Sequence, residues 1–334
     1  MNSATRGGVV LLLLTAAALP GTAIARQSPL PAISVVAHAA PDENDDHDGF
    51  MEHSSPPVPT PPAPALIGEL VAKKAPGPLG PVTYVPILYY HYIRINPNPR
   101  DRVGFGLSTP PAAFRAQMRY LADHGFHVIS LHQAVLAIQN HSGLPSRPLV
   151  LTFDDGYADF FSNAVPILQS YGFTATSFVI TGRMGWGGYM TPNQIVAADS
   201  MGFTIGAHTV DHVALAALVP ARAAWEIKQS KLMLETLLGH PVSDFAYPYG
   251  SFNAYDMAQA RSLGFETAVS TLPGTWHSAG QLFELSRVRV GGGLPLASFA
   301  NLVGGPRPTS AELAGAGVAP TSPPAPTPAP SPTP

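Results

Sequence analysis

Short runs of β-branched, aliphatic and aromatic residues recur through the middle of the chain, and helical patterns separate many of them. The runs are "VPILYYHYI" (85–93), "FHVISL" (126–131), "PLVLTF" (148–153), "ATSFVI" (175–180), "FTIGAH" (203–208), "DFAYPY" (244–249), "ETAVST" (266–271) and "SRVRV" (286–290). After Gly156, residues Phe161, Ala164, Val165, Leu168 and Tyr171 fall at helical spacing on one apolar face, and Gly172 stops the pattern. "PAAFRAQMRYLADHG" (111–125) and "AWEIKQSKLMLETLLG" (224–239) behave alike, each ending in Gly. Strand alternating with helix predicts a parallel sheet, and seven or eight such units predict an α/β barrel rather than an open sheet. In such a barrel the chemistry collects where the strands end.

The ends of the chain cannot contribute to that core. "PDENDDHD" (Pro41 to Asp48) and "PPVPTPPAPA" (56–65) are extended or disordered in character, as is "APTSPPAPTPAPSPTP" (319–334). The acidic run with His47 is a solvated linker rather than a metal site, because nothing there fixes a ligand geometry. Residues 1–25 read as a signal peptide: Arg6, the apolar run "GVVLLLLTAAAL", then "AIA" at Ala23 to Ala25. The run is shorter than the roughly 20 residues that span a bilayer. The expected organisation is therefore signal peptide 1–25, Pro-rich linker 26–81, one domain over 82–305 and a Pro-rich tail 306–334 of an exported protein. A net charge of −3 gives no basic stripe for nucleic acid. The absence of Cys excludes disulfides, thiolate nucleophiles and thiolate metal ligands, so a metal here must be held by His, Asp or Glu.

Within "LVLTFDDGYADF" (149–160) an apolar strand ends in two adjacent carboxylates, Asp154 and Asp155, before Gly156. Like charges so close repel, and one should resist ionising unless a cation or a donor stands nearby. A polar turn capping the next helix is the plain explanation. "GAHTVDH" (206–212) argues for more. It places His208 and His212 four residues apart at another strand end, where a helix beginning at Thr209 would aim both imidazoles at one point. Two such histidines and a carboxylate from another strand suit a catalytic divalent metal. One aspartate then ligates and the other stays ionised as a base. In "DFAYPYG", Pro248 shapes a turn that aims the Tyr249 backbone N–H at a developing oxyanion, or else Tyr249 is an aromatic strand end. His91, among Tyr89, Tyr90 and Tyr92, is either a structural or a functional histidine.

"TFDDG" (152–156), "HTVDH" (208–212) and "YPYG" (247–250), in this order, resemble the NodB-homology polysaccharide deacetylases, carbohydrate esterase family 4, over about residues 82–300. The resemblance implies a distorted (β/α) barrel and metal-dependent removal of N-acetyl groups from amino-sugar polymers. It assigns Asp154 as base, Asp155, His208 and His212 as ligands of a divalent metal (Zn, with Co or Ni also fitting), and Tyr249 to the oxyanion hole. Departures stand out. The family's Arg two residues before the Pro is Ala246 here, and Arg287 and Arg289 occupy the run where a His general acid belongs. "YHYI", "FAYPYG" and "SRVRV" look instead like the poly-N-acetylglucosamine (exopolysaccharide) deacetylase branch. The proton donor is then His91, His277 or a ligand histidine.

The leading expectation is an exported hydrolase acting on an N-acetylated polysaccharide. The alternatives are O-deacetylation of acetylated xylan, or a catalytically silent glycan-binding protein on the same fold. The Pro-rich tails offer a route to cell-envelope association. Trp276, flanked by Gly and Pro in "LPGTWHSAG", is expected on the active rim, where an aromatic face can stack on a sugar.

Overall fold

A computed structural model describes residues 80–316 apart from Pro99 and Ser142. The expected signal peptide, most of the linker and the distal part of the tail lie outside the described residues. All eight sequence runs contain strands: β2 (Ile87–Tyr90), β3 (His127–Val128), β4 (Pro148–Phe153), β5 (Thr176–Val179), β6 (Thr204–Ala207), β7 (Asp244–Ala246), β8 (Thr267–Pro273) and β10 (Leu285–Arg289). A further antiparallel pair joins β1 (Val82–Tyr84) to β9 (Trp276–Ser278).

Seven parallel strands close a ring in the order β2-β10-β8-β7-β6-β5-β4, with β4 returning to β2 through Ile87↔Val150 to Tyr90↔Phe153. The eighth, β3, pairs with the start of β4 at Pro148 and Leu149. All four residues of β2 and of β5 are buried, as befits parallel strands covered on both faces. The fold is thus the expected (β/α) barrel.

The helices on its flank start and stop on local chemistry. α1 (Arg102–Leu107) is capped by Asp101, α2 (Pro111–Asp123) begins on a proline, and α3 (Leu131–Asn140) carries a Ser130/Gln133 capping box. The helix after β4 departs from the sequence expectation. It opens as a π-helical turn over Phe160–Ala164 and becomes α4 (Val165–Ser170) beside Pro166, which has no N–H to complete the preceding turn. The wider turn adds Phe160 to the buried side and leaves Phe161 partly exposed, while Ala164, Val165 and Leu168 are buried as the 3.6-residue period predicts. Phe160 packs on Phe153, itself stacked on Tyr90 at 5.3 Å. Burying each such side chain contributes about 1.5–3 kcal/mol. That cluster anchors the strand end from which Asp154 and Asp155 emerge.

α5 (Pro192–Ser200), α6 (Pro220–Leu238), α7 (Ala254–Ser262) and α8 (Leu296–Leu302) complete the surround, and α6 ends at Gly239 with φ 77°. The fold does not stop at residue 305 as expected. α9 (Ser310–Gly315) follows, and Tyr120 of α2 donates its hydroxyl to the Pro306 carbonyl at 2.5 Å while His124 meets Glu312 at 2.7 Å. Trp276 is also misplaced by the sequence reading. It is exposed, at 59 %, but pairs with Tyr84, just before β2, so it lies toward the end where the barrel strands begin. Among the described residues no helix is long and apolar enough to cross a membrane.

Candidate active site and metal centre

Four strand ends build the site. β4 delivers Asp154 and Asp155, β6 delivers His208 and the loop to His212, β7 delivers Tyr249, and β2 delivers His91. Six non-glycine residues among those described have positive φ, and four of them are here: Asp155 (74°), Thr209 (63°), His212 (57°) and Tyr249 (59°). Each left-handed turn costs free energy that the surrounding packing must offset, and such clustering marks a functional centre. Gly156 follows at φ 72°, and a Cβ there would come within 3.1 Å of the Val179 backbone. This turn lets adjacent aspartates serve one site.

One ligand atom each from Asp155, His208 and His212 lies within 4.8 Å of the others. Both Nε2 atoms face Asp155 Oδ1, at 3.5 Å from His208 and 3.1 Å from His212. The His208 Nδ1–H donates to the Ala246 carbonyl at 2.7 Å, so the neutral ring presents a bare Nε2. His212 Nδ1 pairs with the Tyr249 hydroxyl at 3.1 Å, which can fix the same tautomer there. Three lone-pair donors then converge, and Asp155 Oδ1 is buried without a hydrogen-bond partner. A divalent cation with imidazole and carboxylate preference fits that donor set. Burial pushes the Asp155 carboxyl upward, but the His212 and His208 imidazoles hold it well below the ordinary carboxylate range.

The His208–His212 segment is not the helix expected from its spacing. It is an irregular loop, and the left-handed residues Thr209 and His212 bring the two rings to 4.9 Å instead. The loop is held from beneath: Thr209 Oγ1 accepts from the His212 N–H at 3.0 Å. The buried Glu226 of α6 accepts from the N–H groups of Val210 and Asp211 at 2.9 and 3.0 Å. Nothing in the sequence spacing pointed to Glu226.

Arg287 reaches Asp154 from β10. Its Nη1 and Nη2 each donate to one oxygen of Asp154 at 2.7 Å, Nη1 also reaches Thr152 Oγ1 at 3.0 Å, and Nε donates to the Ser270 carbonyl at 2.8 Å. The guanidinium is fully buried over the Tyr89 ring. Burial pushes the Asp154 carboxyl up, and the Arg287 charge and hydrogen bonds override it, leaving the acid below its usual range. Asp154 is thus kept ionised and oriented.

Tyr249 occupies the strand end as predicted, and its backbone N–H has no acceptor among the described residues. His91 stands beside Tyr89 and close enough to feel both aspartates; burial lowers its pKa while Asp155 and Asp154 raise it, with a net fall. His277 is excluded from this centre. It is buried on β9, bonded to the Val85 carbonyl at 3.0 Å, and burial depresses it to about 4.

Residues 141–268 match the family model for polysaccharide deacetylase. The Bacillus subtilis (strain 168) protein YxkH, which carries a polysaccharide deacetylase name, is 30% identical over 215 residues, covering 64% of this chain and 74% of that one. The poly-beta-1,6-N-acetyl-D-glucosamine N-deacetylase of Escherichia coli (strain K12) is 37% identical over 65 residues, 20% of this chain and 10% of that enzyme. Among solved structures, the Streptococcus pyogenes deacetylase PplD in complex with acetate is similar with a TM-score of 0.62 and 29% identity, over 66% of this chain and 98% of that one.

Proposed function

Since the chain belongs to the NodB-homology polysaccharide deacetylases, a family of carbohydrate hydrolases, we propose that it hydrolyses N-acetyl groups from N-acetylglucosamine units of a polysaccharide. The observation that carries this reading is the division of labour at the end of β4. Asp155 turns into a two-histidine donor set, while Asp154, one residue away, is held ionised by Arg287. The acetate held by the Streptococcus relative is the product such chemistry releases, and the E. coli relative's name gives the substrate class.

Asp155, His208 and His212 would hold the divalent cation, with zinc the best match to two neutral imidazoles and a carboxylate. When bound, it supplies positive charge that acidifies water and polarises the acetamide carbonyl. Asp154 accepts a proton from the attacking water, and Arg287 keeps its carboxylate aimed. The Tyr249 N–H donates to the oxyanion that develops on the carbonyl oxygen. His91 delivers a proton to the sugar nitrogen as the C–N bond breaks, giving acetate and a free amine. His277 cannot serve, since it belongs to β9.

The signal-like residues 1–25 support export to the periplasm, cell surface or medium, and the Pro-rich tails support cell-envelope association. Acetate release from N-acetylglucosamine oligomers and from acetylated xylan, with chelator controls, tests the chemistry. Release confined to the xylan ester, or none that a chelator abolishes, would overturn it. Fractionation of the producing cells tests the location.

A further inference from the structure

A row of stacked groups runs along one side of the metal centre and takes no part in the chemistry described above. Arg94 Cζ lies 3.4 Å from the Tyr92 ring, Tyr92 stacks on Tyr157 at 3.6 Å, and Tyr157 meets Tyr189 at 5.0 Å. Arg183 Cζ then sits 5.6 Å from Tyr189 and 5.8 Å from Trp186. Tyr157 follows Gly156 directly and bridges to Tyr189 through the backbone, so the loop after β5 is tied to the strand end that carries Asp155. The Asp155 charge is felt at Tyr92 and Tyr157, and Arg183 and Tyr189 act on Tyr249. The row therefore borders the centre.

Its composition is unlike a core. Every member is at least partly exposed, Trp186 at 59 %. Neither guanidinium is in an ion pair among the described residues: Arg183 has only the Tyr189 hydroxyl at 3.4 Å, and Arg94 the Ser108 hydroxyl at 3.4 Å. The partly buried Asp159 feels Arg94 but accepts from the Ile93 N–H instead. By contrast, the nearby exposed acid Asp211 is neutralised by Arg222 at 2.5 Å. The face thus keeps two unpaired cations held flat on aromatic rings, in a chain whose net charge is −3. Rings of this kind stack on the apolar faces of sugars, and planar guanidinium forks suit phosphate or carboxylate oxygens.

We propose that this row is the wall along which the glycan lies, with Trp186 as a sugar platform, and that Arg183 and Arg94 select a polymer carrying an anionic group near the acetamido sugar. This rests on the deacetylase reading and narrows its substrate. The anion can be a phosphodiester or a uronate carboxylate, which share the oxygen geometry that a guanidinium recognises.

The test uses the full chain and three length-matched N-acetylglucosamine-containing oligosaccharides: neutral, phosphodiester-bearing and uronate-bearing. Binding and acetate release are both followed. At least one anionic oligomer should show kcat/KM about tenfold or more above the neutral one, carried by KM, as one charge-assisted contact would give. That ratio should shrink as salt rises and fall toward one in Arg183→Gln, with Arg183→Lys between. Trp186→Ala should raise KM for all three while kcat stays. Which anionic oligomer wins identifies the source. Equal kcat/KM for all three, or an anionic preference untouched by Arg183→Gln, overturns the proposal while leaving the deacetylase reading intact. Arg183-dependent binding of an anionic oligomer with no acetate released supports the wall and sinks the deacetylase reading.

Discussion

Arg287 in the middle of β10 grips Asp154 at the end of β4 through two hydrogen bonds of 2.7 Å, across a sequence separation of 133 residues. Breaking a buried pair of this kind costs about 3–5 kcal/mol, because it leaves one charge uncompensated. Arg287→Lys keeps the charge but loses the fork. We expect it to fold with lower stability, to retain metal, and to lose roughly 10²-fold in kcat through a misaimed base. A Lys variant with wild-type kcat would show that the pair holds the barrel together without orienting chemistry.

The two neighbouring aspartates should fail in different ways. Asp155→Asn removes an anionic ligand from the three-donor set and should lose the metal. Asp154→Asn should keep the metal and lose turnover by about 10²–10⁴-fold, the usual contribution of a general base. Metal content and acetate release, measured on the same preparations, separate the two. Near-normal turnover in Asp154→Asn would return this carboxylate to a structural role.

The barrel was legible because parallel strands buried on both faces leave continuous apolar runs, and every run proved to contain a strand. The metal donors were legible because His208, His212 and Asp155 are close in sequence to strand ends. Their route together was not. The spacing of His208 and His212 is compatible with a helix, and only the positive φ of Thr209 and His212 shows the loop that replaces it. Arg287 and Glu226 act from other elements, at separations where a single sequence carries no pairing signal. Trp276 was misread because Gly and Pro announce a loop without saying at which end of the barrel it lies.

That misplacement gives a direct expectation. Trp276 pairs with Tyr84, its ring 5.1 Å from the tyrosine ring, away from the strand ends that carry the aspartates. Trp276→Ala should therefore leave KM and kcat for an N-acetylated oligomer unchanged, in contrast to Trp186→Ala. A rise in KM for Trp276→Ala would mean that the glycan reaches around the barrel.

Cutting the chain after residue 316 and after residue 305 should give different melting temperatures. The longer form retains α9, the His124–Glu312 contact and the Pro306 carbonyl that accepts from Tyr120. The shorter form leaves that buried hydroxyl without its acceptor, at a cost of about 1–3 kcal/mol, and should melt several degrees lower. Coincident melting curves would show that the segment after 305 adds nothing to the fold.

Asp244, at the start of β7, provides a pH test unconnected with the metal. It is buried, and its Oδ1 has no hydrogen-bond partner among the described residues. Burial raises its pKa, the Glu266 charge adds to this, and His132 and Lys231 oppose it, leaving the acid at about 7 against 3.8 for the free side chain. The folded state therefore holds a proton that the unfolded chain releases. Stability attached to that proton is fully present below about pH 3.8 and is lost as the pH rises toward 7, by at most about 1.4 kcal/mol per unit. Asp244→Asn has the same shape and no charge to bury. Its unfolding free energy, measured with denaturant across this range, should match the wild type near the acid end and exceed it at neutral pH. Parallel curves for the two proteins would mean that Asp244 is ionised when folded, and that an unseen donor reaches its second oxygen.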